Sequence, residues 1–320
     1  MSRKNNKANE LEKTFPLVSI VIATYNRVSS LKKYSLPSID YLTYPNYEVI
    51  IVDDASTDET EDFLAAYQAK HENIVVLRNS KNSGAAFSRN RGAIQAKGEF
   101  IALIDDDVSL FPDALEKLVE TYLAQPEIAV IWCCIWQHNN SMKSSLEAPQ
   151  KTFGNGSFWA LKKEVFQVAR FDTNMNYFAT PQCDEHEFAR RLKRQGYKFM
   201  RLETAQAKHF HSPSDNRKRR GIGGDLNYLY ENVKTGSIVE YYLTLIQGFF
   251  SAILFKITKI KKAVQINPKY KQVFLTPEHI KSFLKEGKKD IALKWLYYVL
   301  IDIPWKAKTT VIRENYGKYG

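Results

Sequence analysis

The sequence predicts an α/β protein with a mostly parallel central sheet and helices on both of its faces. Two observations carry this reading. Apolar, β-branched runs alternate with helix-patterned stretches through the first 128 residues, the signature of a covered parallel sheet. Three of those runs also end in polar clusters: Thr24–Tyr25–Asn26, Asp53–Asp54 and Asp105–Asp106–Asp107. In such sheets ligands sit outside the carboxyl ends of the strands, so the three clusters are expected to open onto one crevice.

The elements follow in order. After a polar arm (1–15), "LVSIVIA" (Leu17–Ala23) is an apolar strand, and a helix is expected from Val28. "YEVIIVDDAS" repeats the scheme, and "STDETEDFLAAYQAK" opens a helix with Ser, Thr and Asp ahead of Glu. "NIVVLRN" is a third strand; "SGAAFSRNRGAIQAKG" reads as a helix closed by Gly98. "EFIALIDDD" is a fourth strand, and "FPDALEKLVETYLAQ" a helix with Pro near its start. Beyond the 16–128 half the alternation loosens. In 129–224, "IAVIWCCIW" is a strand, "GNGSFWALKKEVF" a strand into a helix, and "CDEHEFARRLKRQGYKF" a helix into a strand. "SPSDNRKRRGIGG" is a loop, and 225–320 forms a basic helical C-terminal extension.

Composition narrows the function. At 320 residues, 44% apolar and 25% charged, the chain is an ordinary globular protein. Its net charge of +11 is uneven: residues 201–320 hold 22 Lys and Arg against 10 Asp and Glu. That excess speaks for an anionic partner, not for a fold. No nucleic-acid recognition motif accompanies it, so nucleic acid is not expected. Three cysteines without metal spacing, a start lacking a signal-peptide core and no spanning apolar run predict a cytoplasmic protein.

Three successive carboxylates at the end of a buried strand repel one another and are costly unless neutralised. A divalent cation is the economical partner, and hard oxygen ligands suit Mg²⁺ or Mn²⁺ better than Zn²⁺. The plainer alternative is that they cap the helix after Pro112.

"LVSIVIATYNR", "IIVDDASTDET", "NSGAAFSRNRGAIQAKGEFIALIDDDVSLFPDALEKL" and "DEHEFARRLKRQGYK", in this order and spacing, resemble the family 2 glycosyltransferases of the GT-A fold over about Pro16 to Ser214. The resemblance implies a metal-dependent enzyme that moves a sugar, with inversion, from a UDP- or dTDP-linked donor to a glycan or lipid-linked glycan acceptor. It would serve surface polysaccharide or glycolipid synthesis. Residues 16–128 would bind the nucleotide-sugar, and 129–224 the acceptor. Ala23 and Tyr25 match positions around the base, Asp53 the carboxylate that bonds the pyrimidine, and Arg89 the arginine beside the aspartates. Asp106 matches the residue facing the ribose and Asp107 the metal ligand, with Asp105 able to take either part. The family pattern of Glu-Asp, one residue, then Asp is here Asp184–Glu185–His186–Glu187. Both acids are exchanged for their homologues, with Glu185 in the place of the base. Asp184 and Glu185 are equally suited to stabilising a helix N-terminus.

His209 and His211 alternate and would share a strand face, where the family often places a histidine metal ligand. "RKRRGIGG" is either a lid over a diphosphate or a solvated basic loop. Trp132, Trp136 and Trp159 are read as core. Lysines interleaved with aromatics in "FFSAILFKITKIKK" and "DIALKWLYYVLIDIPWKAK" fit either a helical subdomain or an interfacial surface on anionic lipid, peripheral on the inner face of the membrane. A sugar nucleotidyltransferase is the nearest rival, but "ATYNRVSS" lacks that chemistry's glycine-rich loop. A silent carbohydrate- or nucleotide-binding protein would not need two acid clusters.

Overall fold

The computed structural model describes residues 15–137, 157–175, 184–210, 229–230, 233–234, 238–239, 241–243, 246 and 298–316. The chain divides into two compact units, Met1–Arg170 with Ala189–Pro213, and Phe171–Phe188 with Ser214–Gly320.

The first unit is built on one eight-stranded sheet. Its strands are β1 (Val18–Thr24), β2 (Tyr47–Asp53), β3 (Ile74–Arg78), β4 (Phe100–Asp105), β5 (Val108–Leu110), β6 (Ile128–Gln137), β7 (Phe158–Lys162) and β8 (Lys198–His209), in the order β3-β2-β1-β4-β7-β6-β8-β5. Four of the seven pairings are parallel. The parallel block β3-β2-β1-β4 corresponds to the regular alternation in sequence. Antiparallel pairing enters at β7, where the sequence pattern loosens.

Both faces of the parallel block are covered, which is why its strands read as continuous apolar runs. On one face Ile20 and Ile22 share a core with Leu31, Leu36 and Ile39. These come from a helical run made of α1 (Val28–Ser30), a π-helical stretch (Leu31–Ser35) and α2 (Leu36–Ile39). Leu115 and Leu118 of α5 (Ala114–Ala124) join the same core. Each such buried aliphatic side chain contributes about 1.5–3 kcal/mol. On the other face Val21 meets Gly92 of α4 (Ala85–Gln95). Between them in sequence, α3 (Thr60–Gln68) follows β2, with Leu64 fully buried.

Two details differ from the sequence reading. The helix α4 ends at Gln95, and Ala96 already has extended backbone, so Gly98 does not close it. Gly98 instead permits a close approach to β1: a Cβ there would stand 2.6 Å from the Leu17 carbonyl oxygen. Its N–H donates to Ser19 Oγ at 2.8 Å. The second difference is β5, too short to announce itself by alternation. It pairs with the end of β8, Val108 opposite His209.

Of the three tryptophans read as core, Trp159 is fully buried, whereas Trp132 and Trp136 are half-buried on β6. After β7 come α6 (Lys163–Val168) and α7 (Asp184–Arg194), and the boundary between units falls inside α7. Phe188, Ala189 and Leu192 form the buried stripe of α7, at the spacing of one helix face. The last described element is α8 (Ile303–Tyr316).

Candidate active site

Strand register assembles the site. Thr24 pairs with Asp53 and Ala23 with Asp105, so the ends of β1, β2 and β4 lie side by side, as the polar clusters predicted. Only Asp105 belongs to β4; Asp106 and Asp107 lie in the turn that follows it, and Arg27 pairs with both of them.

Asp105, at the end of β4, is a quarter exposed and accepts from Arg89 Nη2 at 2.9 Å. Asp106 is buried. Thr24 Oγ1 donates to its Oδ2 at 2.8 Å, and Arg27 Nε lies 2.9 Å from its Oδ1. Asp107 is wholly buried, ion-paired with Arg27 Nη2, and its Oδ1 is 3.0 Å from His209 Nε2. The Phe210 N–H donates to the Asp107 carbonyl at 2.8 Å, which locks the triplet to the end of β8. Ser157 Oγ lies 3.4 Å from the other imidazole nitrogen of His209. Burial pushes the Asp106 carboxyl up to about 7, against the opposing pull of Arg27 and the Thr24 hydroxyl, while Asp107 and Asp105 push it further up.

The positive groups that meet the aspartates are therefore Arg27 and Arg89, and the His209 imidazole stands beside Asp107. Arg89 was legible in the sequence. Arg27 was not singled out, although it directly follows the first polar cluster and three carboxylates at a strand end call for a cation.

Asp105, Asp107 and His209 each offer one ligand atom, all within 4.8 Å of one another. Two carboxylate oxygens and an imidazole nitrogen suit a hard divalent ion such as Mg²⁺ or Mn²⁺. Neighbouring ligands of an octahedral ion, each about 2.1 Å from it, stand about 3 Å apart, which the His209–Asp107 separation matches. The residues fit such an ion. They place Asp105 beside Asp107, whereas Asp106 faces Thr24 and Arg27.

Around this group, Ala23 is half-buried and Tyr25 presents an exposed ring. Asp53 is fully buried: its Oδ1 accepts from the Ser56 N–H at 3.0 Å and its Oδ2 pairs with Arg78. That turn needs Ala55 at φ 61, a left-handed conformation costing about 1–2 kcal/mol for a residue with a Cβ. Asn26, at φ 53, accepts the Thr57 N–H on Oδ1 at 2.6 Å and so ties the loop after β1 to the loop after β2. Asn tolerates this region, a signal the sequence offered.

Asp184 and Glu185 open α7, as expected, with Glu185 half-buried. His211 and the "RKRRGIGG" segment lie outside the described residues.

Comparison with known proteins bears on this arrangement. Residues 19–173 match the family model described as glycosyl transferase family 2. The chain is 39% identical over 105 residues to TuaG of Bacillus subtilis (strain 168), whose name assigns it to teichuronic acid biosynthesis as a glycosyltransferase; the match covers 33% of this chain and 41% of the relative. The chain thus spans well under two thirds of that relative's length. Among solved structures, it resembles the mannosyltransferase PcManGT of Pyrobaculum calidifontis in complex with GDP-Man and Mn²⁺ (TM-score 0.52, 17% identity, 95% of this chain and 85% of that one). It also resembles residues 1–349 of S. aureus TarS (TM-score 0.52, 15% identity, 94% and 92%). These likenesses show the fold, the GT-A arrangement expected from the sequence.

Proposed function

We propose, for a chain that belongs through residues 19–173 to glycosyl transferase family 2, that it moves a sugar with inversion from a nucleotide-diphosphate donor to an acceptor hydroxyl. The observation that carries this is the group Asp105, Asp107 and His209 at the carboxyl ends of the sheet. Asp107 and His209 would hold Mn²⁺ or Mg²⁺, with Asp105 able to join them, and a bound ion would supply positive charge to the leaving diphosphate. Asp106 would face the ribose. Ala23, Tyr25 and Asp53 surround the base, and Tyr25 offers an exposed ring for stacking. Arg89 and Arg27 orient the carboxylates through their ion pairs.

Glu185, with Asp184 beside it on α7, takes the proton of the acceptor hydroxyl. The freed oxygen bonds to the anomeric carbon as the bond to the diphosphate breaks. A nucleoside diphosphate and an inverted glycoside result.

The relative named for teichuronic acid supports surface polysaccharide or glycolipid synthesis, with a glycan or lipid-linked glycan as acceptor. Among the described residues no helix is long and apolar enough to cross a membrane. Peripheral attachment to an anionic inner membrane face is supported by exposed Tyr242, Leu243 and Ile246, and by exposed Leu300, Ile301 and Trp305. The Tyr242 hydroxyl donates to the Leu300 carbonyl at 3.0 Å, which brings the two sets together.

A donor panel tests the reading. UDP-, dTDP- and GDP-sugars are supplied with and without Mn²⁺, and released nucleoside diphosphate is measured. Release from one donor, dependent on the metal, is expected; no release from any donor with a range of glycan acceptors would leave a binding protein. Release of pyrophosphate from sugar phosphate and nucleoside triphosphate would instead favour a nucleotidyltransferase.

A further inference from the structure

The second unit contains a buried charged cluster that this reaction does not use. Lys234 Nζ donates to Asp172 Oδ2 at 2.9 Å and to Glu187 Oε1 at 2.8 Å, and all three side chains are 2% exposed. The Tyr230 hydroxyl donates to the same Asp172 oxygen at 2.8 Å. The other oxygen, Oδ1, accepts the backbone and side-chain N–H groups of Asn174, both at 3.0 Å. Burial opposes ionisation of Asp172, yet Lys234 and these hydrogen bonds hold its carboxyl below the usual range.

Taking an ammonium and two carboxylates out of water costs several kcal/mol per ion, and apolar residues of similar volume often serve stability as well. What the ions add is a fixed geometry. Asp172 is held by the Asn174 backbone, Lys234 by Asp172, and Glu187 by Lys234. Glu187 lies in the first turn of α7, two residues after Glu185. Residues two apart on a helix do not face each other, so Glu187 anchors the turn while Glu185, half-buried, points elsewhere.

We infer that Lys234 is a positioning residue: by clamping Glu187 to Asp172 it fixes the first turn of α7 and with it the carboxylate of Glu185. The inference rests on Glu185 being the base.

Steady-state kinetics of the full chain test it, with Lys234→Met, Lys234→Arg, Glu187→Gln, Glu185→Gln and the double variant Lys234→Met/Glu185→Gln. Lys234→Met is expected to lower kcat by about 10- to 100-fold, the cost of misplacing a reacting group by roughly 1 Å. The donor KM should not change, and Lys234→Arg should recover part of the loss. Because Lys234 acts through Glu185, adding Lys234→Met to Glu185→Gln should cost little more. Wild-type kcat in folded Lys234→Met, or losses that multiply in the double variant, would overturn the positioning role while an inactive Glu185→Gln keeps the base reading. Full activity of Glu185→Gln would sink the base reading, and the positioning role with it. If Lys234→Met does not fold, Glu187→Gln decides by the same kcat and double-variant criteria.

Discussion

The imidazole Nε2 of His209 lies 3.0 Å from Oδ1 of Asp107, although the two residues are 102 positions apart. The antiparallel pairing of β5 with β8 makes the meeting, since Val108 stands opposite His209 and the Phe210 N–H bonds the Asp107 carbonyl. A carboxylate and an imidazole are thus fixed side by side where the proposed ion would bind.

Removing either ligand should therefore cost metal binding without unfolding the protein. Asp107→Ala is expected to abolish transfer and Mn²⁺ binding, read by calorimetry, with the thermal transition retained. His209→Ala should weaken Mn²⁺ binding. Ser157→Ala, which removes the hydroxyl 3.4 Å from the other ring nitrogen, should weaken it by about tenfold, the low end of the loss for a partner that orients a ligand. Asp106→Ala should mainly weaken donor binding. Full activity of Asp107→Ala in EDTA-treated buffer would remove the metal assignment.

Gly92 is a packing requirement of the sheet. An added Cβ would stand 2.5 Å from Val21 Cγ1 and 3.2 Å from Val52 Cγ2, both on stiff, fully buried branched side chains. Overpacking of this kind costs about 1–3 kcal/mol, while the helix gains about 1 kcal/mol from Ala over Gly. Gly92→Ala should lower the urea midpoint, and Val21→Ala in the same chain should restore part of it. A midpoint at or above the wild-type value would show that α4 can move away from β1.

Acid should weaken the second unit through Asp172. Its carboxyl titrates below the usual range in the folded chain, so the stabilisation is complete above about pH 4, the ordinary carboxylate value. It is lost as pH falls from there through the depressed value. Asp172→Asn leaves Lys234 short of one carboxylate and should cost about 3 kcal/mol at pH 7, as for a broken buried pair. The gap from wild type, measured by urea unfolding, should shrink below pH 4. A gap independent of pH would mean that the charge of Asp172 is not what stabilises the fold.

Attachment to anionic lipid should depend on salt and on the exposed aromatic and aliphatic groups. The chain is expected to pellet with anionic vesicles at low salt and to be released as salt screens the lysines. Replacing Lys256, Lys259, Lys261 and Lys262, which lie outside the described residues, by Glu should weaken pelleting. Trp305→Ser with Ile301→Ser should do the same, since both side chains are exposed. No pelleting at low salt would favour a helical subdomain with solvated lysines.

Sequence determined most of the first unit by itself. Val18–Thr24, Tyr47–Asp53 and Phe100–Asp105 are apolar on both faces, and a strand covered on both sides must look so. Their polar ends marked the site, because charge at the end of a buried strand is tolerated only where something meets it. What met it was decided by tertiary structure. Arg27 reaches Asp106 and Asp107 because the loop after β1 turns through a left-handed Asn26. His209 arrives because a three-residue strand, too short to show a period, pairs with the end of β8. Gly98 could be read as a helix stop from local pattern; only the neighbouring strand shows that its missing Cβ makes room for Leu17. The clamp of Lys234 on Asp172 and Glu187 spans separations of 62 and 47 residues. Periodicity reports neighbours a few residues apart on one element; partners at that range are chosen by packing, and only the folded chain contains that information.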